Sequence, residues 1–257
     1  MLLAVDIGNS SVTLGLFAAD GSLQFRCGAE TVRGKSADEY AVLFRSMFLL
    51  HGADPACVTD RILSSVVPPV THAVSRAIEI LTGQKPLCVG PGMKTGLNIR
   101  IDTQTQLGSD LVADAVAALS AYQTPMVIVN LGTATTFTVI NREGVLEGVI
   151  IAPGVRVSMD ALAEYGAALP DISVAAPKRL IAKNTAESMQ AGVLFGHAAM
   201  LDGMVRRIAR ELGEDVVTTV VTGGLAETVL PYCETACKHC PDLTLTGLYR
   251  IAEKNQR

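Results

Sequence analysis

The sequence predicts an α/β protein that contains an internal duplication. Short apolar segments typical of buried strands alternate with helical segments over the 257 residues. A strand, a turn of glycine and small polar residues, and a returning strand stand near the start of the chain, and the same order recurs about half the chain later. We therefore expect an N-terminal lobe at residues 1–122 and a C-terminal lobe at residues 123–257, with a linker near Tyr122–Pro125.

The expected strands follow from apolar runs bounded by turn residues. In the first copy of the repeat they are Leu2–Asp6 and Val12–Phe17, around the turn Ile7–Ser11. In the second copy they are Met126–Val129 and Phe137–Ile140, around a turn at residues 130–136, followed by Val145–Ile150. A later strand at Val216–Val221 ends in the turn Thr222-Gly223-Gly224.

The helical spacing of apolar residues predicts four helices between these strands. They are Ala37–His51, Thr71–Leu81, Asp110–Tyr122 and a long region at Asn184–Leu212 that is broken at Gly196. A further helix is expected from Ala226 onward.

The composition excludes several classes of protein. Hydrophobic residues make up 49% and charged residues 18%, which favours a compact globular protein over a disordered one. The net charge is −4, and the chain lacks both tryptophan and a basic stripe, so we expect no nucleic-acid partner. No apolar run approaches the ~18 residues that cross a bilayer. We expect a soluble, cytoplasmic protein whose six cysteines are thiols or ligands rather than disulfides.

Three turns have the composition of phosphate-binding loops. Glycine lets backbone N–H groups approach phosphate oxygens, and hydroxyl side chains add donors. Asp6 ends the first strand, where a carboxylate can hold Mg²⁺ through water. The candidate nucleotide-binding residues are Asp6, Ile7, Gly8, Asn9, Ser10, Ser11, Val12, Thr13, Gly132, Thr133, Gly223 and Gly224.

The order of these turns distinguishes between nucleotide-binding folds. Each turn alone is more often an ordinary hairpin than a ligand site. The sequence contains neither the G-x-x-x-x-G-K-[ST] of a P-loop nor the G-x-G-x-x-G of a Rossmann fold. Two hairpins of one type, followed by a late Gly-Gly turn, favour the actin-like (ribonuclease H-like) two-lobe kinase fold.

Eight segments, in order along nearly the whole chain, resemble motifs of the type III pantothenate kinase family. Val5–Ser10 resembles its D-I-G-N-T opening, Ser64–Pro68 its S-S-V-V-P segment, and Gly96–Ile99 with Gly108–Asp110 its G-L-x-I…G-x-D-R stretch. Gly132–Thr136 is similar to D-x-G-T-A-x-T, Ile151–Gly154 to I-x-P-G, Asn184–Gly192 to N-T-x-x-S-M-Q-S-G, and Pro241–Leu248 to P-D-L-T-L-x-G-L.

The resemblance implies an activity and a role for each site residue. The family transfers the ATP γ-phosphoryl group to the primary hydroxyl of pantothenate, the first step towards coenzyme A, and its members are homodimers that need Mg²⁺ and a monovalent cation such as K⁺ or NH₄⁺. By this resemblance Asp110 is the general base and Asp6 positions Mg²⁺. The implied pantothenate-binding positions are Ile101, Gly108, Ser109, Asp110, Leu111 and Thr185.

Four positions depart from the family pattern. Asn130 stands where the family has the Asp tied to the monovalent cation, and Leu111 stands for the Arg of G-x-D-R. Ile101 replaces a Tyr, and Gly166 replaces the Thr of T-A-x-L-P. An Arg that grips a polar substrate contributes about 1.5–3 kcal/mol. The departures therefore leave open a kinase for another small alcohol, or a non-enzymatic nucleotide-binding paralogue.

Simpler interpretations of single residues also stay open. Asp110 and Thr185 both stand at helix starts, where each could serve only as a cap. Asp114, one turn after Asp110, is expected to be a solvated helix residue.

A cysteine cluster near the C-terminus has two interpretations. Cys233, Cys237 and Cys240, with His239 between the last two, have a spacing that can bind zinc or an iron–sulfur cluster. Nothing else in the sequence supports a metal there, and incidental thiols are the favoured interpretation.

Overall fold

Two β-sheets with the same core strand order organise the chain. The computed structural model describes residues 1–103 and 106–255. The chain divides into two compact units. Unit 1 comprises Met1–Leu97, Thr103–Ala117 and Leu243–Arg257, and unit 2 comprises Asn98–Asp102 and Ala118–Asp242.

Unit 1 is built on a five-stranded sheet. Its strands are β1 (Leu2–Ile7), β2 (Ser11–Phe17), β3 (Leu23–Glu30), β4 (Asp60–Ser65) and β5 (Leu87–Cys88), in the spatial order β3-β2-β1-β4-β5. Its helices are α1 (Ala37–Leu50), α2 (Pro68–Thr82), α3 (Ser109–Ala121, in unit 1 up to Ala117) and α7 (Leu243–Asn255).

Helices cover both faces of this sheet. Successive side chains of a strand point to opposite faces. Leu3, Val5 and Ile7 of β1 therefore pack in one core with α1 and α2, while Leu2 and Ala4 pack in another core with α3 and α7. Because β1 is covered on both sides, it is apolar at every position except Asp6.

Unit 2 is built on a six-stranded sheet. Its strands are β6 (Asn98–Ile99), β7 (Met126–Leu131), β8 (Ala134–Ile140), β9 (Val145–Pro153), β10 (Thr218–Thr222) and β11 (Cys237–His239), in the order β11-β10-β7-β8-β9-β6. Its helices are α4 (Val155–Tyr165), α5 (Thr185–Leu212) and α6 (Ala226–Val229). One face of β7 packs in a core with α4 and α5.

The predicted α/β fold and its internal duplication are confirmed. Without β6, the second sheet repeats the strand order of the first, and β1 and β7 share the same pattern of buried positions. Asp6 lies opposite Thr13 and beside Ser64, and Asn130 occupies the equivalent position of the second sheet. Both returning strands, β2 and β8, also shift register at their last residue.

Several elements differ from the sequence-based expectation. The helix at 185–212 is continuous through Gly196, so the expected break is wrong, because one helical glycine costs only about 1 kcal/mol against the packing of 28 residues. Strands β3 and β4 and helices α4 and α7 were not expected. Residues 243–255 belong to unit 1, although the division at residue 122 assigned them to the second lobe.

In the described part of the chain, no helix combines the length and the apolar character that a membrane crossing requires.

Candidate active site

The turn between β1 and β2 is a tight loop held by neighbouring backbone. The Gly8 N–H donates to the Ser11 carbonyl at 2.9 Å, the Thr31 hydroxyl donates to the Gly8 carbonyl at 2.7 Å, and the Val66 N–H donates to the Ile7 carbonyl at 3.1 Å. Side chains 9–11 of this turn are exposed. Ile7 and Val12 point into the core, so these two can contact a ligand only through their backbone.

Asp6 places a carboxylate directly below this turn. Burial is the main cause that raises the pKa of Asp6 from 3.8 to about 7; the charges of Asp110 and Asp114 add to the rise, and a hydrogen bond from Ser64 opposes it. Its Oδ1 atom is buried and has no hydrogen-bond partner. A buried carboxylate oxygen without a donor is a site that favours a cation.

Asp110 is brought next to Asp6 by a serine bridge. The Ser109 Oγ lies 2.8 Å from the Ser64 Oγ and accepts from the Ser65 N–H at 3.1 Å, which fixes the start of α3 on the end of β4. Burial raises the pKa of the Asp110 carboxyl, and a hydrogen bond from the Leu111 N–H opposes this rise.

Gly108 leaves room for the Asp110 carboxylate in this arrangement. Any Cβ on Gly108 would run into the Asp110 Oδ1 atom and approach Val66. Ser109 therefore cross-links the start of α3 to β4, and this contact sets the position of Asp110.

Asp114 is not the solvated residue that the sequence predicted. It is fully buried, and the Thr244 hydroxyl donates to its Oδ1 at 2.6 Å. Spacing of four residues places Asp110 and Asp114 on the same side of α3. The expectation failed because charge pattern alone does not reveal that α7 covers this part of the helix.

The second turn, between β7 and β8 of unit 2, is closed in a similar way but is one residue shorter. The Gly132 N–H donates to the Ala134 carbonyl at 3.1 Å, and Thr133 is exposed. Gly223 has φ +100° and lies against the backbone of Leu131, where a Cβ would come within 2.5 Å of the Leu131 carbonyl carbon. Only glycine fits there. The turn that contains Gly223 and Gly224 therefore lies at the end of β7, beside Asn130.

Thr185 is exposed at the first position of α5. The helix cap is made by Asn184, whose side chain accepts from the Glu187 N–H at 2.9 Å. Thr185 is therefore not the cap, and its hydroxyl is available for a ligand.

The three C-terminal cysteines make separate local contacts. Burial raises the pKa of Cys233 to about 12 and that of Cys237 to about 11, and the Cys240 Sγ lies 3.0 Å from the Tyr122 hydroxyl. Among residues 1–103 and 106–255, no group of three or more His, Cys, Asp or Glu side chains is arranged to hold a metal ion. The raised pKa values keep the Cys233 and Cys237 thiols protonated near neutral pH.

Comparison with known proteins decides the family. A sequence model of type III pantothenate kinase matches residues 2–207. A type III pantothenate kinase of Brevibacillus brevis is 43% identical over 258 residues, covering 100% of both chains, and one of Exiguobacterium is 39% identical over 257 residues, also covering 100% of both. The chain belongs to the type III pantothenate kinase family. It is therefore a kinase.

Solved structures agree on the fold of this pantothenate kinase family member. The ethanolamine utilization protein EutJ of Carboxydothermus hydrogenoformans matches with a TM-score of 0.54 at 15% identity, covering 98% of this chain and 89% of that one. The activator of the 2-hydroxyisocaproyl-CoA dehydratase of Clostridium difficile, solved with bound ADPNP, matches with a TM-score of 0.51 at 10% identity, covering 98% and 92%. This likeness confirms the predicted actin-like α/β fold.

The structure shows the surroundings of three positions that depart from the pantothenate kinase pattern. Leu111 is buried, with 8% of its surface exposed, so it packs rather than facing water. Gly166 ends α4, and a Cβ there would come within 2.6 Å of both the Leu162 carbonyl and the Leu169 side chain. A threonine at 166 would need the local backbone to move. Ile101 is half-buried.

Sequence reasoning missed two residues around the predicted base, Ser64 and Thr244. Ser64 and Ser109 join β4 to α3, and Thr244 joins α7 to Asp114. The S-S-V-V-P and P-D-L-T-L motifs contained Ser64 and Thr244, but nothing in a single sequence indicated which helix each would contact.

Proposed function

We propose that this protein transfers the γ-phosphoryl group of ATP to the primary hydroxyl of pantothenate. The observation that carries the proposal is the buried pair Asp6 and Asp110, set at the first glycine turn of a chain in the type III pantothenate kinase family. Phosphoryl transfer depends on positioning and on charge neutralisation more than on covalent steps.

ATP phosphates are proposed to bind to the two glycine turns. Residues 8–13, together with Gly132 and Thr133, offer backbone N–H groups and hydroxyls, and anions favour such concave loops. Gly223 and Gly224 offer a flat backbone surface for the ribose or the base. The exposure of Asn9, Ser10, Ser11 and Thr133 supports these contacts.

Asp6 is proposed to hold Mg²⁺. Its buried, unpartnered Oδ1 fits a hard cation, and Mg²⁺ in kinases binds one or two carboxylates while phosphates and water complete its shell. When bound, the ion neutralises charge on the β- and γ-phosphate oxygens.

Asp110 is proposed to accept the proton of the pantothenate hydroxyl. Burial raises its pKa, which increases its strength as a base. Gly108, Ser109, Leu111, Ile101 and Thr185 are proposed to line the acceptor site.

A monovalent cation, K⁺ or NH₄⁺, is proposed to bind near Asn130. The amide offers a neutral carbonyl oxygen, and Thr136, opposite it on β8, has a buried hydroxyl with no hydrogen-bond partner. Neutral oxygens fit such a cation, but without the family's carboxylate the attraction is weaker by roughly 4 kcal/mol at 4 Å and an effective dielectric of ~20, before desolvation.

We also propose that the protein is a cytoplasmic homodimer. All six cysteines are free, as expected for a reducing compartment. Unit 2 exposes Leu162, Tyr165, Leu180 and Ile181, each by 39% or more, and a second copy is the partner that family resemblance suggests for these side chains.

The test is coupled ATP consumption with and without pantothenate and K⁺. The protein should consume ATP only when pantothenate is present, and Asp110→Asn should lower kcat by about 10²–10⁴. Asp38→Asn is the matched control, because Asp38 also lies in the first turn of a helix but is exposed. ATP consumption that is the same with and without pantothenate contradicts the proposal, and so does an unchanged kcat in Asp110→Asn.

A further inference from the structure

We propose that Asp114 and Thr244 form a positioning pair through which the C-terminal helix α7 holds the base Asp110 in its reactive place. The kinetic part of this inference rests on the proposed function. The structural part, that α7 fixes the first turn of α3, stands independently.

The pair is a direct contact between α3 and α7. The Thr244 hydroxyl donates to the Asp114 Oδ1 at 2.6 Å, and the Asp114 side chain is fully buried. A buried carboxylate is retained only where donors compensate its lost hydration. Since Asp114 lies one turn after Asp110, fixing one fixes the rotation of the other about the helix axis.

A close backbone contact next to this pair restricts the movement of α7 relative to α3. Gly247, one turn after Thr244, lies so close to α3 that any Cβ would overlap the carbonyl group of Ala113. Thr244 and Gly247 thus contact two consecutive residues of α3, Asp114 and Ala113. The two helices are in van der Waals contact at this point and cannot slide past each other without separating.

Helix α7 is itself fastened to unit 1 along its length. The Tyr249 hydroxyl donates to the Ala19 carbonyl at 3.3 Å, and the Lys254 ammonium donates to the Thr95 carbonyl at 2.6 Å. Asn255 exchanges two hydrogen bonds with the backbone of Lys94, at 3.0 and 3.2 Å. A helix anchored in this way is a rigid support.

Asp110 therefore stands between two fixed points of α3. Ser109 ties the residue before it to Ser64 and Ser65, and Asp114 ties the following turn to Thr244. Neither Asp114 nor Thr244 needs to touch a substrate for this role. A displacement of about 1 Å in a reacting group can cost about 10²-fold in rate, so a second anchor has kinetic value.

The test replaces the hydroxyl without changing the shape of the side chain. Thr244→Val should lower kcat for pantothenate phosphorylation at least about tenfold and leave the KM for ATP within about twofold. Thr244→Ser keeps the donor and should restore kcat. Thr246→Val is the matched control on the same helix, because Thr246 is half-buried in the same way. A fall in Tm with unchanged kcat overturns the positioning role.

Amide hydrogen exchange gives a readout that does not need the reaction. In Thr244→Val, exchange at residues 109–116 should accelerate at least about tenfold, while Thr246→Val leaves it unchanged. Unchanged exchange in Thr244→Val overturns the inference. If the unaltered protein does not phosphorylate pantothenate but exchange responds as expected, the proposed function is overturned and the support of α3 by α7 stands.

Discussion

At the scale of single residues, the Asp6 carboxyl gives the sharpest expectation about pH. Its folded-state pKa of about 7 lies above the ordinary value of 3.8, with burial as the main cause. Between these two pH values the folded protein binds more protons than the unfolded one, so this group lowers stability as the pH rises through the window from about 4 to about 7. The difference corresponds to roughly 4 kcal/mol at most.

Asp6→Asn should therefore become more stable relative to the unaltered protein as the pH rises. In metal-free buffer, urea unfolding at pH 4.5 and pH 8 should show the difference in unfolding free energy growing by a few kcal/mol in favour of the variant. Asp38→Asn, at an exposed site, should show no such growth. If the unfolding free energies of Asp6→Asn and of the unaltered protein change in parallel with pH, the raised pKa of Asp6 is contradicted.

Leu111 gives a second residue-scale expectation. If the acceptor site lost an arginine contact here, Leu111→Arg should raise kcat/KM for pantothenate by about tenfold, the effect of one charge-assisted hydrogen bond. Because Leu111 is buried, the same change should also lower Tm. Leu111→Met, which adds no charge, is the control. A lower Tm with no gain in kcat/KM means that Leu111 only packs.

The sequence predicted the composition of the site better than its contacts. The turns at Gly8 and Gly132 follow from local glycine and hydroxyl chemistry, which acts over a few residues. Asp114 was misjudged because its burial depends on α7, which begins 129 residues later in the chain, at Leu243. Local sequence preferences give no information about a packing partner that lies so far away in the chain.

At the scale of elements, the contact between α3 and α7 should be intolerant of a single methyl group. Gly247→Ala would place a Cβ into the Ala113 backbone, and we expect a loss of at least about 2 kcal/mol of unfolding free energy. Gly203→Ala in α5 is the matched change, because open space surrounds that position and helical alanine should stabilise by about 0.4–1 kcal/mol. Chemical denaturation measures both. Equal effects of the two changes contradict the close approach of α7.

Helical spacing predicted helix α1, whereas strands β3 and β4 were missed. Helix α1 was expected within one residue, because its apolar residues recur with helical spacing. The structure adds a capping box formed by Ser36 and Glu39 at the start of this helix. Strand β4 has four buried residues in six and no alternation, so it gave no clear signal. Strand β3 does alternate apolar and polar residues from Leu23 to Glu30, and this signal was overlooked. Their pairing with β1 and β2 is a property of the sheet.

At the scale of the whole molecule, the internal duplication could be recognised from the sequence, but the return of α7 to unit 1 could not. Two copies of one hairpin share local chemistry, so both could be recognised from the sequence. The return of α7 to unit 1 depends on burial of Leu245, Leu248 and Ile251 against β1, which many apolar surfaces could equally provide. Packing contacts between residues far apart in the chain cannot be recognised from a single sequence.

Self-association is the last expectation, and it is argued from the exposed apolar side chains of unit 2. Tyr165 is 82% exposed and Ile181 84% exposed, although each could bury substantial apolar area against a partner. Sedimentation at micromolar concentration should show a species of twice the 27.0 kDa chain, and the double change Tyr165→Asp with Ile181→Asp should convert it to the monomer. The exposed pair Leu49 and Leu50 on α1 provides the control, because changing both to Asp removes a comparable patch from unit 1. A dimer that dissociates only with the α1 changes would place the interface on unit 1 instead, and a 27.0 kDa species in the unaltered protein would contradict the dimer altogether.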